Sequence, residues 1–385
     1  MRVVIAPDSF KECLSAKSVA AFIARGWRQG APDDDIVQVP LADGGEGSTA
    51  ALIESRGGSL HAVEVTGPLG GTVTAHYGRV GDGDTVIVEV AEASGLHLVA
   101  ADSRDALRAT SYGTGELIRA AILNRPKKLV MCLGGSATTD GGAGILQALG
   151  ARLRDADGQD ISPGGEGLAL LASLDVDPVL DLLDGIQLTV ACDVSNPLLG
   201  PEGAAAVFGP QKGATSAQVD ILGQALARFS KLAEGAGFDI HSFAGSGAAG
   251  GIGGMVAGIL GATLKSGIEL IMETVHLEQR IRGADLVITA EGAIDSQSAF
   301  GKTPAGVASL ARKYAVPVIG LAGRVGDELA PLHASGLTAA FAIVPGPASL
   351  GDAMGNAERN LVQAAEQLAR MAIAIASKRR SAPSD

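Results

Sequence analysis

Alternating strand and helix patterns occupy both ends of this chain and constrain its fold more than any other feature. Near the N-terminus, the runs VVIAPDSF and DIVQVPLADGGEG are each followed by a pattern typical of a helix. From ADLVITAEG, close to residue 285, the same alternation returns and continues to a long helical run at 350–375. Strand-then-helix repetition indicates a parallel sheet covered by helices. We therefore predict an α/β protein that contains a doubly wound parallel sheet, of the Rossmann or flavodoxin type.

The middle of the chain breaks this alternation. The stretch LHAVEVTGPLGGTVTAHYGRVGDGDTVIVEV consists of short alternating runs separated by glycine-containing turns, which is typical of antiparallel strands. We predict one discontinuous doubly wound domain, residues 1–62 plus 284–385, and an inserted mixed α/β domain, residues 63–283. The alternative of three sequential domains would leave an N-terminal piece with too few strands to be stable alone.

Composition excludes several functional classes. A chain of 385 residues with 46% apolar residues can form two or three domains. Its net charge of −12 argues against a nucleic-acid or anionic-membrane partner. No apolar run approaches the roughly 18 residues of a membrane span, and the first residues read as a strand rather than a signal peptide, so we expect a cytoplasmic protein. The three cysteines show no CxxC spacing, so we expect reduced thiols. The six histidines are scattered along the chain, which argues against a zinc site.

Polar side chains follow the predicted parallel strands. Ligands of such sheets bind outside the carboxyl ends of the strands, so these residues are candidates for a binding site. Each has a structural alternative, because Asp and Ser cap helices and Gly forms turns. The candidates are Asp8, Ser9 and Lys11 after the first strand, Asp43, Gly44 and Gly45 after the second, Glu291 and Asp295 after the third, and Arg324 after the fourth.

A glycine-rich loop, LGGSATTDGGAG at 133–144, joins an apolar strand-like run to an amphipathic helix pattern. Backbone N–H groups before a helix N-terminus favour an anion such as phosphate. Asp140 within the loop could hold magnesium or cap the helix, and the whole loop could instead be a tight packing turn. The residues predicted to bind phosphate or nucleotide are Gly134, Gly135, Ser136, Thr138, Thr139, Gly141 and Gly142.

The standard nucleotide fingerprints are absent or out of context. Gly301, Lys302 and Thr303 supply the end of a Walker A motif, but Ser296 stands where its first glycine belongs. GSGAAG at 245–250 satisfies GxGxxG, yet no convincing strand precedes it. We interpret it as a packing loop, and an oxidoreductase that binds a dinucleotide there is the alternative.

Two further stretches carry groups suited to chemistry. In CDVSNPLLGPEGAAAVFGPQKGA, at 192–214, Asp193 ends an apolar run and could act as a general base, bind a metal or form an Asx turn. In EGAIDSQSAFGKTPAGVA, at 291–308, Lys302 precedes a helix and could bind a phosphate or simply be solvated.

Five ordered motifs resemble those of the bacterial type I glycerate kinases: APDSFK at 6–11, PLADGGEG at 40–47, the 133–144 loop, and the stretches at 192–214 and 291–308. The resemblance extends to about residue 375. Ser48 and Thr139 depart from the pattern, which expects Thr and Asn there. The resemblance implies an ATP-dependent kinase that makes 2-phosphoglycerate from D-glycerate in a cleft between two different α/β domains.

The resemblance also suggests roles for the candidate residues, since phosphoryl transfer depends on positioning and charge neutralisation. Asp193 and Lys11 would be the catalytic residues, and Lys302 would join the 134–142 loop in binding phosphates. Asp140 or Asp295 would hold Mg²⁺. The predicted substrate-binding residues are Asp8, Ser9, Lys11, Asp43, Gly44, Gly45 and Arg324.

Two questions remain open at this level. The choice of the 2-hydroxyl comes from the resemblance and not from the residues. A non-catalytic sensor of a small hydroxy acid is the alternative from another functional class, although the number of glycine and hydroxyl loops favours a second, phosphate-bearing ligand. The expected partners are D-glycerate and ATP, with the chain as a monomer or a homodimer.

Overall fold

The structure is a computed structural model that describes residues 1–380 except residue 12, residues 43–46, residue 82 and residues 300–301. The predicted substrate residues Asp43, Gly44 and Gly45 therefore lie outside the described residues. The strands are β1 (Arg2–Ile5), β2 (Asp35–Gln38), β3 (Gly58–Thr66), β4 (Thr72–Val80), β5 (Thr85–Glu89), β6 (Lys128–Cys132), β7 (Arg152–Arg154), β8 (Ser173–Asp175), β9 (Gln187–Ala191), β10 (Thr263–Lys265), β11 (Leu286–Ile294), β12 (Val318–Val325) and β13 (Leu337–Ala342).

Helices follow most of these strands, as the alternation in the sequence predicts. They are α1 (Ala16–Gly30), α2 (Ser48–Arg56), α3 (Val90–Ser94), α4 (Tyr112–Ala121), α5 (Ala143–Leu149), α6 (Asp177–Leu183), α7 (Ala204–Phe208), α8 (Ser216–Gly235), α9 (Ile252–Gly258), α10 (Gly267–Thr274), α11 (Leu277–Ile281), α12 (Thr303–Arg312), α13 (Ala330–Ser335), α14 (Leu350–Gly355) and α15 (Ala357–Arg380). None of the helices in the described part of the chain is long and apolar enough to cross a membrane.

The chain divides into two compact units. The first unit contains residues 1–43 and 271–385, and the second contains residues 44–270. The sheet of the first unit is parallel, in the order β13-β12-β11-β1-β2. Counted within the unit this is the order 2-1-3-4-5, which is the flavodoxin-like form of the doubly wound fold. The connection from β1 to β2 and the one that leaves β11 run in opposite directions, so β1 and β11 mark the switch point where ligands of this fold bind.

Burial explains why the first unit forms this sheet. Val3, Val4 and Ile5 of β1 have no exposed surface, as expected for a central strand that is covered on both faces. On one side α1 packs against α15. Gly26 permits this close approach, because a Cβ there would lie 2.1 Å from the carbonyl oxygen of Val362. The helix α12 packs on β11, β12 and β13.

The second unit has a mixed sheet in the order β10-β9-β6-β5-β4-β3. The pairs from β10 to β5 are parallel, whereas β5, β4 and β3 are antiparallel, as the alternating pattern in the middle of the chain predicts. A short hairpin of β7 and β8 forms a separate sheet. Parallel β5, β6, β9 and β10 all point their carboxyl ends toward one edge, and the loops that follow β6 and β9 carry the predicted phosphate loop and Asp193.

The unit boundaries differ from the predicted positions near residues 62 and 283. Helix α2 and strand β3 belong to the second unit, since α2 packs on β3, β4 and β5. Gly78 of β4 makes room for α2, because a Cβ there would lie 2.5 Å from Cγ2 of Thr49. At the second boundary, α11 belongs to the first unit and packs against α12. The strand-then-helix pattern of residues 35–56 did not reveal that its helix covers a different sheet from its strand.

Candidate functional site

Asp8 lies just past β1, at the switch point of the first unit. Its side chain is buried, with 7% of its surface exposed. It accepts a hydrogen bond of 2.6 Å from Oγ1 of Thr303, the first residue of α12, and another from the backbone N–H of Ser9. Asp8 therefore joins the end of β1 to the start of α12. The predicted substrate residue Ser9 is half-buried beside it.

Glu291 provides a second carboxylate at this edge, on β11. Its oxygens accept hydrogen bonds of 3.4 Å from Nζ of Lys302 and 3.3 Å from Oγ of Ser298. Burial raises the pKa of Glu291, Lys302 opposes that shift, and the negative charge of Asp8 adds to it. The sequence placed Glu291 directly after an apolar strand, but the prediction gave it no role. It was a candidate for the same reason as Asp8, because it follows an apolar strand-like run.

A second ion pair lies along the same edge. Arg324 of β12 lies 3.2 Å from Oδ2 of Asp295, measured from its Nη2. The parallel register pairs Arg324 with Ala293 of β11, which places its side chain near the loop that follows β11. The Arg324 side chain is 71% exposed, so this ion pair can exchange partners with a ligand at little cost.

Glu291, Asp295, Lys302 and Arg324 line one cavity of about 660 Å³ in the first unit. Such a volume is in the range of small-molecule sites. One wall is largely apolar and comes from the segment that follows β13 and from α14, whereas the other carries three cations and two carboxylates. The principal lining residues are Lys11, Glu291, Asp295, Lys302, Arg324, Ile343, Val344, Leu350 and Met354.

The second unit carries a smaller cavity, of about 210 Å³, at the carboxyl edge of its parallel strands. Gly134, Gly135 and Ser136 from the loop after β6 form one side of it, and Cys192 and Asp193 after β9 form another. Lys212 contributes its ammonium group. The cavity therefore combines glycine backbone, a serine, a lysine and a carboxylate.

The remaining residues of the predicted phosphate loop face the interior. Thr138 and Thr139 have no exposed surface. They pack against the 245–251 loop: a Cβ at Gly250 would lie 2.0 Å from the carbonyl oxygen of Thr138. The N–H of Gly141 donates to the carbonyl of Gly250 at 3.0 Å. The packing interpretation of GSGAAG agrees with this contact, and no strand precedes that motif in the described residues 238–247.

Asp140 is fully buried and has a structural role in the loop. Its carboxylate accepts four hydrogen bonds: from the N–H and Oγ–H of Ser111, at 2.7 Å and 2.8 Å, and from the N–H groups of Gly142 and Gly144, at 3.0 Å and 3.3 Å. These donors include the first turn of α5 and its N-cap. The arrangement favours the helix-capping alternative over the magnesium alternative, because the carboxylate oxygens are already engaged.

Asp193 occupies a different environment. Its carboxylate is exposed beside the cavity, and Oδ1 accepts a hydrogen bond of 2.8 Å from the N–H of Gly267, at the start of α10. Burial and the charge of Asp193 raise the pKa of the neighbouring Cys192 thiol. Asp193 is thus held in orientation while it remains accessible, as a general base must be.

No set of three or more His, Cys, Asp or Glu side chains in the described part of the chain is grouped to hold a metal ion. This does not conflict with a magnesium-dependent kinase, because Mg²⁺ is commonly held by one or two carboxylates together with substrate phosphates. Asp295 fits that pattern, since its carboxylate lines the larger cavity and is 26% exposed.

Comparison with known proteins identifies the family. The model of the "Glycerate kinase family" matches residues 3–373. The chain belongs to the glycerate kinase family. It is 48% identical over 370 residues to a Bacillus subtilis (strain 168) protein named "Glycerate kinase", with 96% of this chain and 97% of the relative covered. It is 46% identical over 370 residues to "Glycerate 2-kinase" of Escherichia coli K12, with the same coverage of each chain.

A solved structure of the glycerate kinase family agrees with the fold. A Salmonella typhimurium LT2 protein named glycerate kinase 2 superposes with a TM-score of 0.90 at 48% identity, with 98% of this chain and 99% of that chain covered. The resemblance drawn from the five sequence motifs is confirmed, and so are the α/β fold class and membership of a kinase family.

Within this member of the glycerate kinase family, the predicted site residues form separate groups. Lys11, Asp295, Lys302 and Arg324 line the larger cavity, with Asp8 buried nearby. Gly134, Gly135, Ser136 and Asp193 line the smaller cavity. Behind its wall lie Thr138, Thr139, Asp140, Gly141 and Gly142. The sequence prediction assigned no role to Glu291 or Lys212, although both occur in motifs that it had singled out.

Proposed function

We propose that this chain transfers the γ-phosphate of ATP to the 2-hydroxyl of D-glycerate, giving 2-phospho-D-glycerate and ADP, in a cleft between its two units. The observation that carries the proposal is the 46% identity, over 370 residues, to a protein named "Glycerate 2-kinase". The two cavities support it, since each combines at least one cation with groups that bind hydroxyls or phosphates.

In the first unit, the cations suit the glycerate carboxylate. Lys11 and Arg324 would neutralise the glycerate carboxylate. Arg324 would exchange its ion pair with Asp295 for one with the substrate. Asp8 and Ser9 would accept from and donate to the glycerate hydroxyls. Asp43, Gly44 and Gly45 are assigned to the same pocket from the sequence. Lys302, held by Glu291, would approach the transferring phosphate as a second cation.

In the second unit, the accessible carboxylate of Asp193 would orient and deprotonate the attacking hydroxyl. The N–H groups of the 134–136 segment would bind phosphate oxygens, and this interaction is stronger in the transition state, where charge spreads over them. Thr138, Thr139, Gly141 and Gly142 would support the loop from behind. Catalysis of phosphoryl transfer depends mainly on positioning the reactants and neutralising the phosphate charge.

Magnesium fits the first unit better than the second. Asp295 is an accessible carboxylate in the larger cavity, whereas Asp140 is saturated by four donors. When bound, Mg²⁺ would neutralise phosphate charge and hold the phosphate groups in register. We therefore assign the metal role to Asp295.

The decisive assay is ATP turnover with D-glycerate, with the product identified by NMR as 2- or 3-phosphoglycerate. We expect stoichiometric ADP and 2-phosphoglycerate. Formation of 3-phosphoglycerate would overturn the regiochemistry. Glycerate binding without ATP consumption would instead favour the sensor alternative.

The three cysteines provide a test of which cavity binds which substrate. Cys13 lines the larger cavity, Cys192 lines the smaller one, and Cys132 is buried and serves as an internal control. We expect D-glycerate to slow the alkylation of Cys13 and a non-hydrolysable ATP analogue to slow that of Cys192, as followed by mass spectrometry. Exchange of the two protection patterns would reverse the assignment.

A further inference from the structure

Lys212 is a buried cation that the roles above do not use. It ends a 3-10 turn, Pro210–Lys212, that follows α7, and only 3% of its surface is exposed. Its side chain nevertheless lines the smaller cavity, beside Ser136 and Asp193. Lysine is almost never buried without a partner for its charge.

The ammonium group holds the phosphate loop directly. Nζ donates to Oγ of Ser136 at 3.0 Å and to the carbonyl oxygen of Thr138 at 2.5 Å. Both acceptors are uncharged, and together they use two of its three N–H donors. Within the described part of the chain, no carboxylate lies close enough to Nζ to form an ion pair.

Asp193 lines this cavity, and Asp140 and Arg104 lie near Lys212. Asp140 favours the charged lysine at a distance, but its oxygens are engaged by four other donors. Arg104 donates to the carbonyl oxygen of Gln211, the residue before Lys212. Burial outweighs the effect of Asp140 and lowers the pKa of Lys212 to about 7. The cation is therefore incompletely neutralised in the absence of a ligand.

The size of the cavity indicates which part of a ligand could supply the missing negative charge. At about 210 Å³ it is smaller than the roughly 300 Å³ from which pockets for whole small molecules begin. Phosphate groups fit this space, and Gly134 and Gly135 border it.

We propose that Lys212 binds a phosphate oxygen of the nucleotide with its third N–H, while its other two N–H groups hold the loop at Ser136 and Thr138. The identity of the phosphate donor rests on the proposed function, whereas the polyphosphate site does not. An anion in contact with Nζ stabilises the ammonium form, so Lys212 stays protonated and transfers no proton.

The test compares Lys212→Met with Lys231→Met, in which an exposed lysine of α8 is removed. Calorimetry at pH 7 measures the affinities for ATP and for tripolyphosphate. We expect Lys212→Met to weaken both by about tenfold or more, as loss of a charged hydrogen bond implies. The control should bind as the wild type does. Binding of both ligands by a folded Lys212→Met with wild-type affinity would overturn the proposal.

Stability separates a binding role from a structural one. Removal of an incompletely neutralised buried charge should leave the melting temperature within about 3 °C of the wild type or raise it. A large drop in melting temperature without loss of tripolyphosphate affinity would assign Lys212 a purely structural role and contradict the proposal. If Lys212→Met does not fold, Lys212→Arg keeps the charge and serves as the second variant.

The pH dependence gives the second variant its own readout. As pH rises from about 7 to about 9, Lys212 of the free protein loses its proton, so wild-type affinity for tripolyphosphate should fall by up to about tenfold per unit. Lys212→Arg stays charged and should lose that dependence. An equal pH dependence in both proteins would overturn the proposal. Failure of the glycerate assay alone would refute the proposed reaction and leave this polyphosphate test intact.

Discussion

Carboxylates that follow parallel strands serve different purposes here, and their surroundings decide which. Asp140 is buried and saturated by N–H and O–H donors, so it organises a loop. Asp193 is exposed, and its Oδ1 accepts from the N–H of Gly267, so it is both oriented and accessible to a substrate. Glu291 lies between these two cases, since a lysine and a hydroxyl hold it at the wall of a cavity.

Replacement of Asp193 tests the assignment of the general base. Asp193→Asn keeps the size of the side chain but removes its capacity to accept a proton, so we expect turnover to fall by about 10²-fold or more. The affinity for ATP should change less than about threefold, because Asp193 acts on the acceptor hydroxyl. Steady-state kinetics and calorimetry measure the two effects, with the exposed Asp184→Asn as a control. Turnover within a few-fold of the wild type would contradict the assignment.

Replacement of Glu291 tests the effect of its burial on stability. Because folding raises the pKa of Glu291, the ionised carboxylate is less favourable in the folded than in the unfolded chain. The contribution of the Glu291 carboxyl to stability is greatest below its pKa in the unfolded chain. That contribution is lost as pH rises through its pKa in the folded chain. Glu291→Gln should therefore gain unfolding free energy relative to the wild type as pH rises from about 4, the ordinary pKa of a glutamate, towards neutral pH. Urea denaturation across that range measures the difference, and a constant difference would contradict the prediction.

At the scale of elements, glycines determine how closely the 245–251 loop approaches the 133–144 phosphate loop. Gly250 has φ of +70°, and a Cβ there would lie 2.0 Å from the carbonyl oxygen of Thr138. The 245–251 loop can therefore pack directly against the back of the phosphate loop. The front of that loop, Gly134–Ser136, is then left facing the cavity.

Gly250→Ala should push these two loops apart. We expect a loss of roughly 2 kcal/mol or more in unfolding free energy, from strain at positive φ and from the steric clash. Gly223→Ala is the matched control, because Gly223 lies inside α8 with open space around it and should gain about 0.5–1 kcal/mol. Chemical denaturation measures both. A neutral Gly250→Ala would show that the loops are not in firm contact.

Glu89 makes a comparable connection between β5 and α2. Its two carboxylate oxygens accept from the N–H groups of Thr49 and Gly47, at 2.7 Å and 3.1 Å, where α2 begins. Glu89→Ala leaves both donors without that acceptor, so we expect a loss of about 1–3 kcal/mol. Amide exchange should accelerate at 47–53, and Glu89→Gln should give an intermediate effect. Unchanged exchange in Glu89→Ala would contradict the prediction.

At the scale of the whole molecule, the proposed reaction requires both units. Phosphoryl transfer must exclude water from the phosphate donor, and closure of domains around their substrates is the usual means. We expect D-glycerate together with a non-hydrolysable ATP analogue to reduce the radius of gyration in solution scattering, more than either ligand alone. No change with both ligands bound would count against closure.

The sequence by itself determined the fold class and the family, and it predicted the loops of the candidate site. Apolar runs followed by Asp8, Glu291 and Asp193 are local patterns, and a parallel sheet brings such strand ends to one edge whatever the details of packing. The five motifs were also local, so they identified the family without knowledge of contacts distant in the chain.

Only the tertiary structure decided which way these residues face. Ser111, which is distant in sequence, donates to Asp140, and Gly250, also distant, packs against Thr138. Half of the predicted phosphate loop therefore lies in the interior. The burial of Lys212 depends in the same way on Ser136, 76 residues away. Helix α2 can pack on the sheet of the second unit because Gly78 has no side chain that would clash with Thr49. Hydrophobic periodicity reports whether a residue avoids water, but the hydrogen-bond partner of a buried polar group comes from wherever the fold places a donor or acceptor.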